Sequence, residues 1–95
     1  MALFMLACFD KPGAIQLRMA TREAHLAYVR ENADAVKLAG PMLDAADQMA
    51  GSLFVLECAD REAAEAFTTN DPYQKAGLFD RVEVRGFKVS IGSLG

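Results

Sequence analysis

The chain has 95 residues, of which 53% are hydrophobic and 24% charged, as expected of one folded domain and not of a disordered segment. The net charge is −3, and the ten Lys and Arg residues are scattered along the chain. These numbers argue against nucleic acid and against an anionic membrane surface as partners, so we interpret residues 1–95 as a single domain that binds neither.

An apolar run at residues 2–9 predicts a strand that is buried on both faces. No basic residues precede the run, and Asp10 and Lys11 end it, so it fits neither an export signal nor a membrane span. We therefore expect a cytoplasmic protein in which Cys8 and Cys58 are reduced thiols. Two separate cysteines and one histidine lack the close spacing of metal ligands, so we expect no metal site.

The loop sequence "DKPG" at residues 10–13 precedes a predicted helix that starts at about Met19 or Thr21 and ends at about Asn32. Apolar residues recur in this stretch at three- and four-residue spacing, and charged residues fall between them. This pattern is typical of a helix with one buried face and one solvent-exposed face.

Two further strands are predicted in the middle of the chain, at residues 34–44 and 52–58. The second of these is apolar, with β-branched and aromatic residues at its centre. The Gly-Pro pair at residues 40–41 either bends the earlier strand or places it at a sheet edge, because proline cannot donate a ladder hydrogen bond.

A second helix is predicted at residues 61–69, with Asp60 as its N-cap, followed by a short turn at residues 72–77. A last strand is predicted at residues 81–91. Its apolar residues change from one strand face to the other at Gly86, which predicts a bulge there.

The element order is β-α-β-β-α-β, which predicts a ferredoxin-like α+β fold with an antiparallel sheet and both helices on one face. The first and third strands are apolar on both faces, so the other sheet face would expose a large apolar patch. We expect a second copy to cover this patch in a sheet-to-sheet homodimer. Such a dimer would also create a cavity for a small ligand.

His25, in "TREAHLAYVR", lies where the apolar and polar faces of the predicted first helix meet, one turn after Arg22. Because an imidazole titrates near neutral pH, it suits general acid or base catalysis. A lone histidine is more often structural than catalytic. The sequence alone leaves both interpretations open.

Asp71, in "NDPYQKAGLF", directly precedes a proline. This arrangement predicts a helix N-cap, with Pro72 as the first helical residue and Gly77 as the end of the turn. A cap leaves one carboxylate oxygen free, and that oxygen could orient the imidazole of His25. An ordinary cap without a catalytic role would explain the same sequence.

Ser52 and Tyr73 are candidate ligand-binding residues, since each carries a hydroxyl group that can donate a hydrogen bond. A serine at a strand start is more often a turn residue, and a tyrosine more often packs with its hydroxyl at water. The glycines form no nucleotide-binding motif, and no serine occupies a nucleophile elbow. We therefore expect no cofactor.

Six short motifs, in this order and spacing, resemble the YciI-like (YCII-related) family over nearly the whole chain. They are "RxxHL" at 22–26, "AGP" at 39–41, "GS" at 51–52, "EAAEAF" at 62–67, "DPY" with "AG" between 71 and 77, and "VEVRGFK" at 82–88. One departure is Glu23, where the family commonly has proline, and it changes only the entry into the helix.

The resemblance implies a ferredoxin-like homodimer, related to the dimeric α/β-barrel proteins, with a histidine and an aspartate facing a cleft. These correspond here to His25 and Asp71. Arg22 and Ser52 match motif positions and could bind an anionic or hydroxylated ligand. Activity in relatives implies chemistry on aromatic compounds, including elimination from halogenated rings, although fold kinship alone does not transfer a reaction.

Two functions therefore compete on the sequence. The first is a cofactor-independent lyase, isomerase or hydrolase, in which His25 and Asp71 perform general acid/base chemistry on a small polar or aromatic metabolite. The second is a non-catalytic dimeric protein that binds a small molecule without transforming it, or serves as an accessory subunit. A purely structural dimer is a third possibility, which a packed region without a cavity between the two residues would favour.

Overall fold

The computed structural model describes residues 1–94. The elements, in chain order, are β1 (Ala2–Asp10), α1 (Ile15–Glu31), β2 (Val36–Leu43), β3 (Met49–Cys58), α2 (Arg61–Asn70), α3 (Pro72–Lys75) and β4 (Phe79–Phe87). The strands form one antiparallel sheet in the order β2-β3-β1-β4, with the helices on one face. This architecture confirms the predicted ferredoxin-like α+β fold.

The hydrophobic core lies between the sheet and the helices. Strand side chains alternate between the two faces of a sheet, and Phe4, Leu6 and Cys8 of the central strand β1 point toward the helices. Helices α2 and α3, which follow β3, cover the core on the side away from the sheet. The remaining buried members of the core are Phe54, Leu56, Ala64, Phe67, Tyr73, Leu78 and Phe79.

Helix α1 begins at Ile15, so the predicted start at Met19 or Thr21 is wrong. The missed first turn has the reverse of the usual burial pattern. Leu17 and Met19 are exposed, whereas Arg18 is only 3% exposed. A search for a buried apolar stripe therefore finds no helix signal here, because the residue that faces inward is charged.

The two short caps that the sequence predicted are present. Asp60 accepts a hydrogen bond from the N–H of Ala63 at 2.9 Å and begins α2. Asp71 accepts one from the N–H of Tyr73 at 2.9 Å and begins α3, which starts with proline. Gly77, with φ of 78°, follows α3 in the left-handed region that glycine tolerates. These contacts fix Asp71 in the loop between the two helices.

The middle strands differ little from their predicted positions. β2 lies at the edge of the sheet, which confirms the edge interpretation of its Gly-Pro pair. β3 begins at Met49, earlier than the predicted start at Ser52, and pairs with β1 along its length.

The predicted end of the last strand at Ile91 and the predicted bulge at Gly86 are both wrong. β4 ends at Phe87, and its register with β1 is continuous through Gly86. Phe87 lies opposite Leu3 and is 45% exposed. It is an exposed apolar residue in regular register, and no inserted residue is needed to explain the change in the apolar pattern. The register shift lies at the other end of the strand pair, between Phe9 and Asp10.

The face of the sheet opposite the helices carries apolar residues that the helices do not cover. Met5 of β1 lies beside Val55 of β3, and Val55 lies beside Leu38 of β2. Met5 is half-buried, and Leu38 is 52% exposed. Within residues 1–94, no helix is long and apolar enough to cross a membrane.

Gly51 allows β1 and β3 to approach closely beside the site described below. A Cβ atom at this position would lie 2.5 Å from the carbonyl oxygen of Cys8 and 2.7 Å from the terminal methyl of Met42. The first of these atoms belongs to the backbone and cannot move without displacing β1. Gly86 of β4, by contrast, is exposed and has no atoms within 4 Å of the corresponding position.

We predict that Gly51→Ala destabilises the fold, because the added methyl group collides with the β1 backbone. The expected loss is about 1–3 kcal/mol of unfolding free energy, as for other overpacked sites. The measurement is urea denaturation, with Gly86→Ala as the matched control that changes stability by no more than about 0.5 kcal/mol. Equal stability of the two variants would contradict the close approach of the strands.

Candidate functional site

A cavity of about 290 Å³ lies between α1 and the edge strand β2, with β3 and α3 completing its wall. Its polar lining residues are Arg18, Arg22, His25, Ser52 and Tyr73, and none of its lining residues is acidic. The other lining residues are apolar. Because an apolar cavity of about 150 Å³ holds benzene, this cavity has room for a six-membered ring with substituents.

His25, which lines this cavity, is hydrogen-bonded to Asp71 of the same chain. The Nδ1 atom of His25 lies 2.8 Å from Oδ1 of Asp71, and both residues are buried, at 7% and 1% exposure. The same oxygen accepts the cap hydrogen bond from the N–H of Tyr73. The expectation that the cap and the histidine use different carboxylate oxygens of Asp71 is wrong. One oxygen makes both contacts.

The imidazole of His25 is held on several sides. Its ring stacks on the ring of Tyr73, with centroids 4.0 Å apart and planes inclined by 14°, and Phe54 meets it edge-on at 5.8 Å. With Asp71 accepting, Nδ1 carries the proton. The other nitrogen, Nε2, has no hydrogen-bond partner within residues 1–94 and remains for a ligand in the cavity that His25 lines.

Arg18 is another buried polar residue of the cavity, and it was not among the site residues expected from the sequence. Its Nε and Nη2 atoms donate to the two oxygens of Asp10 at 2.7 and 3.3 Å. Nη2 also donates to Oγ of Ser52 at 2.6 Å, and Nη1 lies 3.5 Å from the hydroxyl of Tyr73. The guanidinium also lies over the Tyr73 ring, 4.6 Å from its centroid. Asp10 therefore offsets the charge of a buried arginine.

The three residues expected to bind a ligand all line the cavity, in two different settings. Ser52 and Tyr73 are buried, at 2% and 1% exposure, and both contact Arg18. Arg22 is exposed and makes no hydrogen bond or ion pair with other residues of the described chain. Arg22 thus places an unpaired positive charge at the mouth of the cavity.

Burial raises the pKa of two other groups near the site. The pKa of the Cys8 thiol rises to about 12, first through burial and then through the negative charges of Asp71 and Asp10. Burial also raises the pKa of Tyr73, an effect that Arg18 partly opposes. Cys8 is therefore a neutral thiol at physiological pH, and not a thiolate nucleophile.

A sequence signal for Arg18 exists, although it becomes readable only after the helix start is known. Arg18, Arg22 and His25 follow one another at spacings of four and three residues, so they share one face of α1. In a helix this spacing brings side chains into neighbouring positions. Within residues 1–94, no group of three or more His, Cys, Asp or Glu side chains is arranged to hold a metal ion.

The chain matches known proteins along most of its length. Residues 2–88 match the model of the YCII-related domain. Protein YciI of Escherichia coli O6:H1 is 36% identical over 90% of this chain and 96% of its own length, and an uncharacterized protein of Haemophilus influenzae is 29% identical over 90% and 95%.

A solved structure is also similar to this chain, in both sequence and fold. It is the 5-chloro-2-hydroxyhydroquinone dehydrochlorinase TftG of Burkholderia phenoliruptrix AC1100, in complex with 2,5-dihydroxybenzoquinone. The sequences are 34% identical, the TM-score is 0.85, and the match covers 90% of this chain and 93% of that one. These matches confirm the resemblance drawn from the motifs, and the chain belongs to the YCII-related family.

Proposed function

We propose that this protein is an enzyme that uses His25 as a general acid and base, oriented by Asp71, on a small polar or aromatic ring compound. The observation that carries the proposal is the buried hydrogen bond between Asp71 Oδ1 and His25 Nδ1 at the wall of a cavity of ring size. Lyase, isomerase and hydrolase reactions all fit, because each can proceed by proton transfer without a cofactor.

The geometry suits proton transfer at Nε2 of His25. The Asp71 carboxylate keeps the proton on Nδ1, so the lone pair of the neutral ring is on Nε2. When Nε2 takes a proton from the substrate, the negative charge of Asp71 stabilises the imidazolium that forms. The stack on Tyr73 holds the imidazole in one orientation while it takes up and returns the proton.

Arg22, Ser52 and Tyr73 are proposed to bind the substrate. Arg22 attracts an anionic or hydroxylated group at the cavity mouth, and the two hydroxyl groups act deeper in the cavity. The family neighbour TftG is named as a dehydrochlorinase of a hydroxylated aromatic ring. This name supports a ring compound as substrate and makes elimination the first reaction to test.

A non-catalytic protein that holds a small molecule is the second candidate. The observation in its favour is that, apart from His25, the polar lining groups are hydrogen-bond donors suited to holding a ligand in place. In this account Asp71 and His25 would serve packing and hydrogen bonding only. Recovery of a bound ligand unchanged after long incubation would favour it.

We propose that the protein forms a homodimer through the open face of the sheet. Apolar side chains occupy the centre of this face, and β4 flanks them with alternating charges at Arg81, Glu83 and Arg85. A two-fold contact places each patch against its own copy. The mixed charges of the rim therefore allow opposite charges to pair across the dimer.

We propose the cytoplasm as the compartment in which the protein acts. Cys8 and Cys58 are both free, with Cys8 buried and Cys58 half-buried. The reducing cytoplasm keeps thiols in this state. Oxidising compartments favour disulfides in domains of this size.

His25→Ala is expected to lower turnover by roughly two to four decades, the usual contribution of a general acid or base. The first substrate to test is 5-chloro-2-hydroxyhydroquinone, with turnover measured as the release of chloride. A panel of hydroxylated ring compounds is tested next. Arg30→Ala is the matched control, because Arg30 lies on the same helix but is exposed and does not line the cavity. Turnover by His25→Ala equal to that of the unmodified protein would disprove the catalytic role.

Sedimentation at micromolar concentration is expected to show a dimer. Leu38→Glu should weaken the dimer by about tenfold or more, because it buries a charge in the contact. Met19→Glu is the matched control, since Met19 is 51% exposed and Leu38 52%, but Met19 lies on α1. A stable monomer of the unmodified chain, or equal weakening by both variants, would contradict the proposed interface.

A further inference from the structure

Three buried side chains of the cavity carry more donor hydrogens than the surrounding residues have acceptors for. Arg18, Ser52 and Tyr73 are 3%, 2% and 1% exposed and line the same cavity. The hydroxyl oxygens of Ser52 and Tyr73 both accept from Arg18, at 2.6 and 3.5 Å. Because their oxygens accept from Arg18, their hydroxyl hydrogens are left to find acceptors elsewhere.

The part of the chain that the structure describes provides no such acceptor. Neither Ser52 nor Tyr73 donates its hydroxyl hydrogen to a described residue, and the hydrogen bonds to the Asp10 carboxylate come from Arg18 alone. Arg18 has five N–H hydrogens. Its four contacts therefore leave one Nη1 hydrogen unused.

A buried donor without an acceptor is costly, so a ligand or water oxygen must accept from these groups. We propose that Arg18, Ser52 and Tyr73 form a subsite for a carbonyl oxygen of the substrate and stabilise the enolate that forms when His25 removes a proton from the adjacent carbon. This inference rests on the proposed function and narrows its substrate class to compounds with a carbonyl group or its enol.

The subsite lies next to the proposed base. The Tyr73 ring stacks on the imidazole of His25 at 4.0 Å, and its hydroxyl lies within 3.5 Å of Arg18. Arg18 precedes His25 by about two helical turns on the same face of α1. The donors and the proposed base therefore line the same cavity, with the Tyr73 ring in contact with both the imidazole and the guanidinium.

The electron pairs of the proposed step balance without another reactant. Nε2 of His25 takes the proton from the carbon next to the carbonyl, and the C–H electron pair forms a carbon–carbon double bond. The carbonyl π pair moves to the oxygen, which becomes an enolate oxygen held by the donors. The imidazolium then returns the proton to the same carbon or to another atom of the substrate, and the neutral imidazole is restored.

The charge of the subsite suits an oxygen that is neutral at first. Asp10 offsets the charge of Arg18, so the unreacted carbonyl meets fixed donors and no strong net positive charge. Donors held in place before the reaction stabilise the charge that develops on the oxygen without having to reorient. The ion pair with Asp10 thus serves to position the donors.

The test compares two ring probes in calorimetric titrations. The enolate of cyclohexane-1,3-dione presents oxygens that only accept, whereas cyclohexane-1,3-diol presents hydroxyl groups. We expect the unmodified protein to bind the enolate more tightly by about tenfold or more, since hydrogen bonds to a charged acceptor are the stronger kind. Ser52→Ala and Tyr73→Phe should each reduce this preference by about tenfold. Tyr73→Phe retains the ring that stacks on His25.

Tyr28→Phe is the matched control, because the hydroxyl of Tyr28 donates to the carbonyl of Phe67 at 2.7 Å and does not line this cavity. It should leave the preference unchanged. An unchanged preference in both Ser52→Ala and Tyr73→Phe, or no preference in the unmodified protein, or no binding of either probe, would overturn the subsite. If Ser52→Ala fails to fold, Tyr73→Phe alone decides.

The two proposals fail separately. Equal turnover by His25→Ala would contradict the catalytic role of the histidine, and the enolate preference would still stand or fall by the Ser52 and Tyr73 variants. Conversely, a catalytic loss in His25→Ala combined with an unchanged enolate preference in both Ser52→Ala and Tyr73→Phe would retain the base and remove the subsite.

Discussion

A single buried carboxylate oxygen joins the main parts of the site. Oδ1 of Asp71 accepts from the ring of His25 on α1 and from the backbone of Tyr73 at the start of α3. Asp71 is 1% exposed, and burying a carboxylate without partners is strongly unfavourable. The charge of Asp71 can therefore be buried only when α1 and the α2–α3 loop are positioned so that these hydrogen bonds form.

The inner face of α1 is unusually polar. In most helices of this kind apolar residues face the core, but here the residues that α1 buries are Arg18 and His25. Each has an acidic partner on another element, Asp10 on β1 and Asp71 after α2. The helix is thus held over the sheet partly by two polar contacts, and the space between them and β2 forms the cavity. The same arrangement that compensates the buried charges places hydrogen-bond donors and an imidazole around a ring-sized volume.

The sequence predicted the parts of the structure that depend on local signals. Asp60 and Asp71 act as caps because an aspartate before a helix accepts free N–H groups, a relation that involves only neighbouring residues. The strands and the element order follow from apolar patterns in the same way. The start of α1 could not be predicted by this route, since Arg18 becomes an inward-facing residue only when Asp10 and Ser52 are brought to it by the sheet.

Only some residues of the candidate site were predictable from the sequence. His25 and Asp71 came from residue chemistry and from family motifs, whereas the sharing of one oxygen between imidazole and backbone depends on three-dimensional geometry. Arg18 and Asp10 lie outside the motifs that carried the resemblance, so only the fold shows their relation to Ser52. The misplaced bulge at Gly86 has a similar origin, because the sequence does not distinguish an exposed phenylalanine from one that has changed faces.

The most direct test of the central claim is the tautomer of His25, read from long-range nitrogen–proton NMR correlations at a pH where the ring is neutral. We expect Nδ1 to carry the proton and Nε2 to be unprotonated, and we expect Asp71→Asn to abolish this strict preference. A neutral ring protonated at Nε2 in the unmodified protein would contradict the account, because the carboxylate of Asp71 would then not be the acceptor that orients the histidine.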